Sequence, residues 1–445
     1  MISENITAIS TALGASGVAV IRISGDSPLQ IAKKMFAPLE KIDVLDFEPN
    51  KLYVGEILCD DFKDFGMCVY FKAPRSFTGE DTIEFHSHGG TAITRGILKK
   101  ILSLGARLAG NGEFTKRAFM NGKLSLASCE GLIDMINSES VSGVKAGYSL
   151  YREKLTKKTE SLQNRITEVL SQLDVDVDFP EENLERTSLE AVETTLTEVN
   201  YEINKLLETF KTGRVVKNGV KVAIVGKPNT GKSSLLNALL CFDKAIVSDI
   251  PGTTRDIVEG AVDINGVRFN FSDTAGIRES EDKIEEIGVD MSKRTVNESH
   301  LVIFVLDGGE IDAEDDKIYE LVKDKNLLVV VNKTDKGEYK DDRANIYVSA
   351  KNGDNLDALR EEIYNRTVGD GIDVNGEMLM EERHYEALKR AKDKFEFALG
   401  SVNDVPLDIL AIDIKDGWDA LGEISGKTAT EEIINDIFSR FCVGK

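Results

Sequence analysis

Gly226-Lys-Pro-Asn-Thr-Gly231-Lys232-Ser233 lies between the apolar run Val220-Lys-Val-Ala-Ile-Val225 and the helical run Ser234-Leu-Leu-Asn-Ala-Leu-Leu240. It fits G-x-x-x-x-G-K-[ST] in the strand-then-helix setting that the motif needs. The glycines let the backbone wrap closely round phosphate, and successive N–H groups point inward at a helix N-terminus. Lys232 is then placed to neutralise β- and γ-phosphates and Ser233 to ligate Mg²⁺. A chance glycine turn also satisfies the pattern, so the surroundings decide. Asn229 within the loop fits either an ordinary turn residue or a ligand for a monovalent cation, and its position alone favours the turn.

Three further segments follow predicted strands in order. Asp273-Thr-Ala-Gly276 offers a carboxylate for a magnesium-bound water and a backbone N–H at Gly276 that senses a γ-phosphate. Asn332-Lys-Thr-Asp335 offers a carboxylate that accepts from both N1–H and the exocyclic amine of guanine; adenine has no such donor pair, so Asp335 specifies GTP over ATP. Ser349-Ala-Lys351 places a backbone N–H for the guanine oxygen. Between the first two motifs, Asp249-Ile-Pro-Gly-Thr-Thr254-Arg-Asp reads as a switch loop that offers Thr254 to Mg²⁺ while the γ-phosphate is present. Ile277 follows the second motif and cannot orient water as glutamine would; Glu279, Glu281, Asp282, Glu285 and Glu286 lie just beyond it. The expected nucleotide site is therefore Asn229, Thr230, Gly231, Lys232, Ser233 and Ser234, then Ser248, Asp249, Ile250, Pro251, Gly252, Thr253 and Thr254. Asp273, Thr274, Ala275, Gly276, Asn332, Lys333, Asp335, Ser349, Ala350 and Lys351 complete it.

Outward from this unit the texture changes on both sides. Residues 1–118 mix strands and turns: Val18–Gly25 reads as a strand, Thr82–His86 as a half-exposed strand, and Ala92–Leu104 as a helix ended by Gly105. Residues 119–214 and 371–445 carry Leu/Ile-spaced charged runs of helical-bundle type, at Tyr151–Leu173, Ser188–Phe210, Glu381–Leu399, Pro406–Leu421 and Thr430–Phe441, with Pro180 as a break. In residues 215–370, strand-like runs at Phe269–Ser272, Leu301–Asp307, Leu327–Asn332 and Ile346–Ser349 alternate with helical stretches. That alternation predicts a mainly parallel sheet covered by helices. Asn265-Gly266 predicts a tight hairpin and one antiparallel edge. The expected architecture is multidomain, α/β plus α: an N-terminal α+β domain and a helical bundle into which a Ras-like P-loop domain is inserted.

The 445 residues are 41% hydrophobic and 30% charged, a globular composition. No apolar run reaches the roughly 18 residues of a membrane span. Residues Met1–Asn5 lack signal-peptide character, and Cys59, Cys68, Cys129, Cys241 and Cys442 are scattered, which together predict a reduced, cytoplasmic chain. The net charge of −22 falls entirely after residue 118. Such acidity repels nucleic-acid backbones at long range, so any nucleic acid is expected to be held by a local patch or by a partner.

The flanks carry a resemblance that the nucleotide motifs alone do not. Ala73-Pro-Arg-Ser-Phe-Thr-Gly-Glu80-Asp81, His86-Ser-His-Gly-Gly90, Asn111-Gly-Glu-Phe-Thr-Lys-Arg-Ala-Phe-Met-Asn-Gly-Lys123, Val177-Asp-Phe-Pro-Glu-Glu182 and Phe441-Cys-Val-Gly-Lys445 occur in that order. Over essentially its whole length the chain resembles the MnmE (TrmE) tRNA-modification GTPases. The resemblance implies an N-terminal domain that dimerises and holds a tetrahydrofolate derivative, 5-formyl- or methylene-tetrahydrofolate, with Arg22, Glu80, Lys123 and Lys445. It implies potassium held by Asn229, Ser248, Ile250 and Thr253 in place of an arginine finger, water oriented by Glu285, and G domains that dimerise across the nucleotides. Arg255 and Arg278 then belong to the switches, Cys442 is more often packing than nucleophile, and the segment of the two histidines is structural or lines the folate side rather than binding a metal. The implied partners are a second copy, the FAD-containing MnmG protein in a heterotetramer, and tRNA. The implied reaction adds a carboxymethylaminomethyl or aminomethyl group to C5 of a wobble uridine, with GTP hydrolysis driving rearrangement.

Overall fold

The computed structural model describes residues 4–178, 189–242, 260–273, 295–337, 340–369 and 377–445. Two compact units divide the chain: Met1–Ile133, Leu150–Thr197 and Arg390–Lys445 form one, Asp134–Ser149 and Glu198–Lys389 the other.

The first unit is built on a seven-stranded sheet. Its strands are β1 (Ile6–Ile9), β2 (Ala19–Gly25), β3 (Phe36–Pro38), β4 (Leu52–Leu58), β5 (Lys63–Phe71), β6 (Asp81–Ser87) and β7 (Arg107–Leu108), in the order β3-β4-β5-β6-β2-β1-β7. All neighbours are antiparallel except β1 and β7. Alternation along the strands sends Ile21, Ile23, Tyr53, Ile57, Cys68, Ile83 and Phe85 into one core with Ile97 and Ile101 of α2 (Thr91–Ser103), while α1 (Pro28–Lys33) adds Ile31 and Ala32. Gly105 ends α2 as expected, with φ 106°. On β6 the residues between the buried ones are half-buried rather than half-exposed: Glu84 and His86 are covered because they bond within the sheet. A smaller cluster joins Ile6 and Ala8 to Phe77, Ala109 and Phe114, the last from α3 (Glu113–Met120).

Helices follow, some in this unit and some in the second. In chain order the next helices are α4 (Leu126–Asn137), α5 (Val141–Tyr151), α6 (Lys154–Asp178), α7 (Leu189–Glu208) and α8 (Phe210–Asn218). The C-terminal ones include Leu407–Ser425 and Glu431–Ser439. Leu407–Ser425 lies along α6: Gln163 Nε2 donates to Trp418 O at 3.0 Å, and Trp418 Nε1 donates to Thr167 Oγ1 at 2.9 Å. Phe438 and Phe441 pack on Leu126 and Cys129, and the chain then returns to the N-terminal domain, where Val443 bridges to Asn111 and Gly112 N donates to Cys442 O at 3.3 Å. The break expected at Pro180 lies outside the described residues.

The second unit carries a six-stranded sheet of β8 (Val220–Val225), β9 (Gly260–Ile264), β10 (Val267–Asp273), β11 (Leu301–Asp307), β12 (Leu327–Asn332) and β13 (Ile346–Tyr347), in the order β13-β12-β11-β8-β10-β9. Every pairing is parallel but β9–β10, whose turn holds Asn265 and Gly266 at φ 53° and 82°. One face packs α9 (Lys232–Phe242) and a helix at Leu356–Thr367 through Leu235, Leu239, Leu359 and Ile363. The other packs α10 (Ala313–Val322) through Val322 against Val302, Phe304 and Leu306. With helices on both faces, β11 is buried from Leu301 to Leu306, which is why it reads as one continuous apolar run. Leu356–Thr367 is α11, and α12 (Glu382–Ser401), α13 (Leu407–Ser425) and α14 (Glu431–Ser439) follow it.

Two boundaries differ from expectation. Residues 215–218, where the α/β segment is expected to open, instead end α8, and Lys217 there pairs with Asp134 at 2.8 Å and with Glu381. The last strand stops at Tyr347, since Ser349 turns away to pair with Asp354.

Candidate functional site

Strand β8 is the middle of its sheet, and the chain leaves it first towards β10 on one side and then towards β11 on the other. The carboxyl ends of strands beside such a reversal form the crevice of a doubly wound sheet. The loop after β8 opens there. Gly226 is pressed against β11: a Cβ on it would stand 2.4 Å from Val305 O. Gly231, at φ 91°, is equally close to Asn332, where a Cβ would meet Nδ2 at 2.4 Å. Only glycine fits either position, and both hold the loop backbone against the strand ends.

Inside the loop, Lys232 is 5% exposed and its ammonium donates to Gly226 O at 2.8 Å and Lys227 O at 2.7 Å. The side chain therefore lies across the mouth of the loop, where an anion cradled by the backbone would meet it. Thr230 Oγ1 donates to Lys227 O at 3.0 Å and tightens the turn. Ser233 and Ser234 are exposed in the first turn of α9, at the positive end of an eleven-residue helix. Asn229 is exposed at the crown in a left-handed conformation, φ 65°.

The later motifs converge on this loop. Asn332, 1% exposed at the end of β12, donates from Nδ2 to Thr230 O and accepts at Oδ1 from Ala350 N, both at 3.0 Å. One amide thus ties the phosphate loop to the Ser349-Ala-Lys351 segment. Lys333 donates to Asn229 O and to Asp307 Oδ2, the latter at 2.7 Å. Asp335 is exposed, and its Oδ1 accepts from the buried Ser349 hydroxyl at 2.8 Å. That hydrogen bond holds the Asp335 carboxyl below its ordinary range, so it is ionised and aimed. A phosphate-wrapping loop, a buried lysine and an aimed carboxylate on one rim suit a nucleotide whose base presents two donors.

In the first unit, Arg22 on β2 sits opposite Glu84 on β6 and pairs with it at 2.7 Å, its guanidinium 5.7 Å and 5.5 Å from the ring centres of Phe77 and Phe114. Burial works against the Glu84 carboxylate, but His86 and Arg22 outweigh it and keep its pKa low. Glu80 accepts from Ser24 Oγ at 2.8 Å and pairs with Arg117 at 2.9 Å. Lys123 donates to Pro74 O at 2.9 Å. Lys445 follows Gly444, whose Cβ would lie 2.5 Å from Ile9 O at the end of β1. His88 Nδ1 bonds to Asp64 at 2.7 Å. No group of His, Cys, Asp and Glu able to hold a metal ion occurs among the described residues.

Residues 126–442 match the family model of the MnmE helical domain, and residues 5–123 match that of the GTP-binding protein TrmE N-terminus. The tRNA modification GTPase MnmE of Caldicellulosiruptor saccharolyticus is 38% identical over 99% of each chain. The chain belongs to the MnmE family of tRNA-modification GTPases. It is a GTP hydrolase. The Desulforamulus reducens MnmE is 39% identical over the full length of both chains. A solved Era structure from Aquifex aeolicus, bound to GDP and AlF4−, is 31% identical over 39% of this chain and 66% of its own, with TM-score 0.28.

Of the expected nucleotide residues, the structure brings together Asn229, Thr230, Gly231, Lys232, Asn332, Lys333, Ser349 and Ala350 by direct bonds or close approach, with Asp335 joined through Ser349. Lys351 is exposed beside Ala350. The backbone of Asp273 ends β10 next to β8, opposite Ile224. Ser248, Asp249, Ile250, Pro251, Gly252, Thr253, Thr254, Arg255, Thr274, Ala275, Gly276, Arg278 and Glu285 lie outside the described residues. Sequence reasoning missed Asp307, the partner of Lys333, although its place at a strand end like that of Asp273 is a usable signal. It also missed Glu84 and Ser24, which no local pattern marks, and Arg117, which lies within the Asn111–Lys123 segment.

Proposed function

We propose that this GTPase is activated by potassium and acts with the FAD protein MnmG. Together they add a carboxymethylaminomethyl or aminomethyl group to C5 of the wobble uridine of tRNA in the cytoplasm. The observation that carries the reading is the Asn332 bridge, which makes the phosphate loop and the base-reading segment one structure in a chain of this family. The loop residues do the binding: α9 and Lys232 take the phosphates, and Asp335, aimed by Ser349, takes the guanine donors. Mg²⁺ would be held by Ser233 and Thr254, and potassium by Asn229, Ser248, Ile250 and Thr253. These cations would stabilise charge developing on the phosphates. The exposure of Ser233 and Asn229 on the loop supports this assignment. Glu285 would orient the attacking water.

The folate assignment rests on the face that carries Arg22 and Glu80. Phe77, half-buried beside the Arg22 guanidinium and with a carboxylate nearby, suits a flat hydrogen-bonding heterocycle, and Lys123 and Lys445 suit its carboxylates. When bound, a tetrahydrofolate derivative would supply the one-carbon unit. Homodimerisation through this domain, G-domain pairing across the nucleotides and assembly with MnmG complete the proposal. GTP turnover compared in potassium and sodium buffers tests the cation, and equal rates would reject it. Nucleoside analysis of tRNA from cells lacking the protein tests the modification.

A further inference from the structure

The side chain of the loop residue Lys227 is used neither by the motif nor by the chemistry above. Its side chain is 11% exposed, and its ammonium lies 2.9 Å from Asp312 Oδ2 and 2.8 Å from Asp315 Oδ2. These two aspartates are the capping box of α10: Asp312 Oδ1 accepts from Glu314 N at 2.8 Å, and Asp312 N donates to Asp315 Oδ2 at 3.1 Å. Asp315 is fully buried. Two carboxylates, one without access to water, thus stand beside a loop that must receive a polyanion. The backbone of the same lysine does a second job, since Lys227 O accepts from both Lys232 Nζ and Thr230 Oγ1. Burial disfavours the Lys227 ammonium, but Asp315 and Asp312 outweigh it and keep its pKa raised.

We propose that Lys227 is a positioning residue for nucleotide binding: it cancels the field of Asp312 and Asp315 at the phosphate loop and fixes the carbonyl that receives Lys232. The proposal rests on GTP being bound by this loop. Without Lys227 the capping carboxylates face the phosphates uncompensated, which weakens ground-state binding and transition-state binding alike, so KM rises and kcat changes little.

The test uses the full chain, a fluorescent GDP analogue and GTP turnover. The wild-type titration tests nucleotide binding itself; the variants test Lys227. Lys227→Met is expected to weaken analogue binding and raise KM about tenfold with kcat within about threefold. Lys227→Arg keeps wild-type values. Adding Asp312→Asn and Asp315→Asn to Lys227→Met restores affinity to within about threefold of wild type, a rescue that a packing role would not give. Unchanged binding by Lys227→Met, or a triple variant as weak as the single one, overturns the proposal. Where Lys227→Met does not fold, Asp312→Asn alone carries the test, because asparagine caps a helix as well as aspartate. It is expected to tighten binding about threefold, and unchanged or weaker binding overturns the proposal.

Discussion

Asn332→Ala removes an amide that serves two loops at once. Its bonds to Thr230 O and from Ala350 N are each 3.0 Å. A satisfied bond of this kind contributes about 1 kcal/mol net, whereas an orphaned buried group costs about 1–3 kcal/mol. Thr230 is 1% exposed, so its carbonyl has almost no water to turn to; Ala350 is half-buried and recovers part of its loss. The two together come to about 3 kcal/mol, enough for roughly a hundredfold loss if all of it falls on nucleotide binding. Part falls on the fold, so titration with a fluorescent GDP analogue should show affinity down by about ten- to a hundredfold, together with a lower melting temperature. Asn332→Asp keeps the volume and the acceptor for Ala350 N but sets a carboxylate oxygen against the Thr230 carbonyl, and should bind more weakly than the alanine variant. Binding within threefold of wild type and unchanged melting in both variants would refute the idea that this amide organises the site.

Asp335→Asn should cost guanine nucleotides about a hundredfold in affinity while improving xanthine nucleotides, measured with paired diphosphate analogues; an unaltered base preference would remove Asp335 from base reading. Burial works against the Glu113 carboxylate, but Arg107, Gly110 N and Arg117 bring its pKa down to about 2. A depressed folded pKa adds stability that is present above the unfolded value near 4.5 and lost as pH falls towards 2. Glu113→Gln should therefore melt below wild type at neutral pH, with the gap closing between pH 5 and about 2; a gap independent of pH contradicts the assignment. Cys442 is exposed whereas Cys68 and Cys129 are buried, their thiols pushed up by burial. A thiol reagent should label Cys442 in the native chain and reach Cys68 and Cys129 only on unfolding, which peptide mapping would show; native labelling of the buried pair would contradict this packing.

The central strands were legible because burial on both faces demands unbroken apolar runs: β11 and β12 begin and end where Leu301–Asp307 and Leu327–Asn332 do in the sequence. The hairpin was legible because Asn265 and Gly266 are the residues that accept left-handed backbone. The strands β4 and β5 are not marked by the sequence, since Gly55, Glu56, Asp64 and Gly66 interrupt their apolar content; it is their pairing with each other that makes them strands. The helix end at Asn218 has no local signal because the partners that hold Lys217, Asp134 and Glu381, are far away in the chain. The same holds at the sites. Local spacing exposes the loop, its lysine and Asp335, but charge partners such as Asp307 with Lys333 or Arg117 with Glu80 are set by topology, to which side-chain identity alone is blind.

The Asn332 bridge also has a bearing on biosynthesis. The ribosome releases the phosphate loop roughly 120 residues before Ser349-Ala-Lys351, an interval of about 6–25 s at elongation speeds of about 5–20 residues per second. For most of that interval Thr230 O has no amide to meet, and for more than half of it β8 lacks its neighbour β11. Nascent chains should thus stay blind to guanine nucleotide until the last strand emerges, so the cellular GTP pool stabilises only finished domains and leaves stalled fragments open to proteolysis.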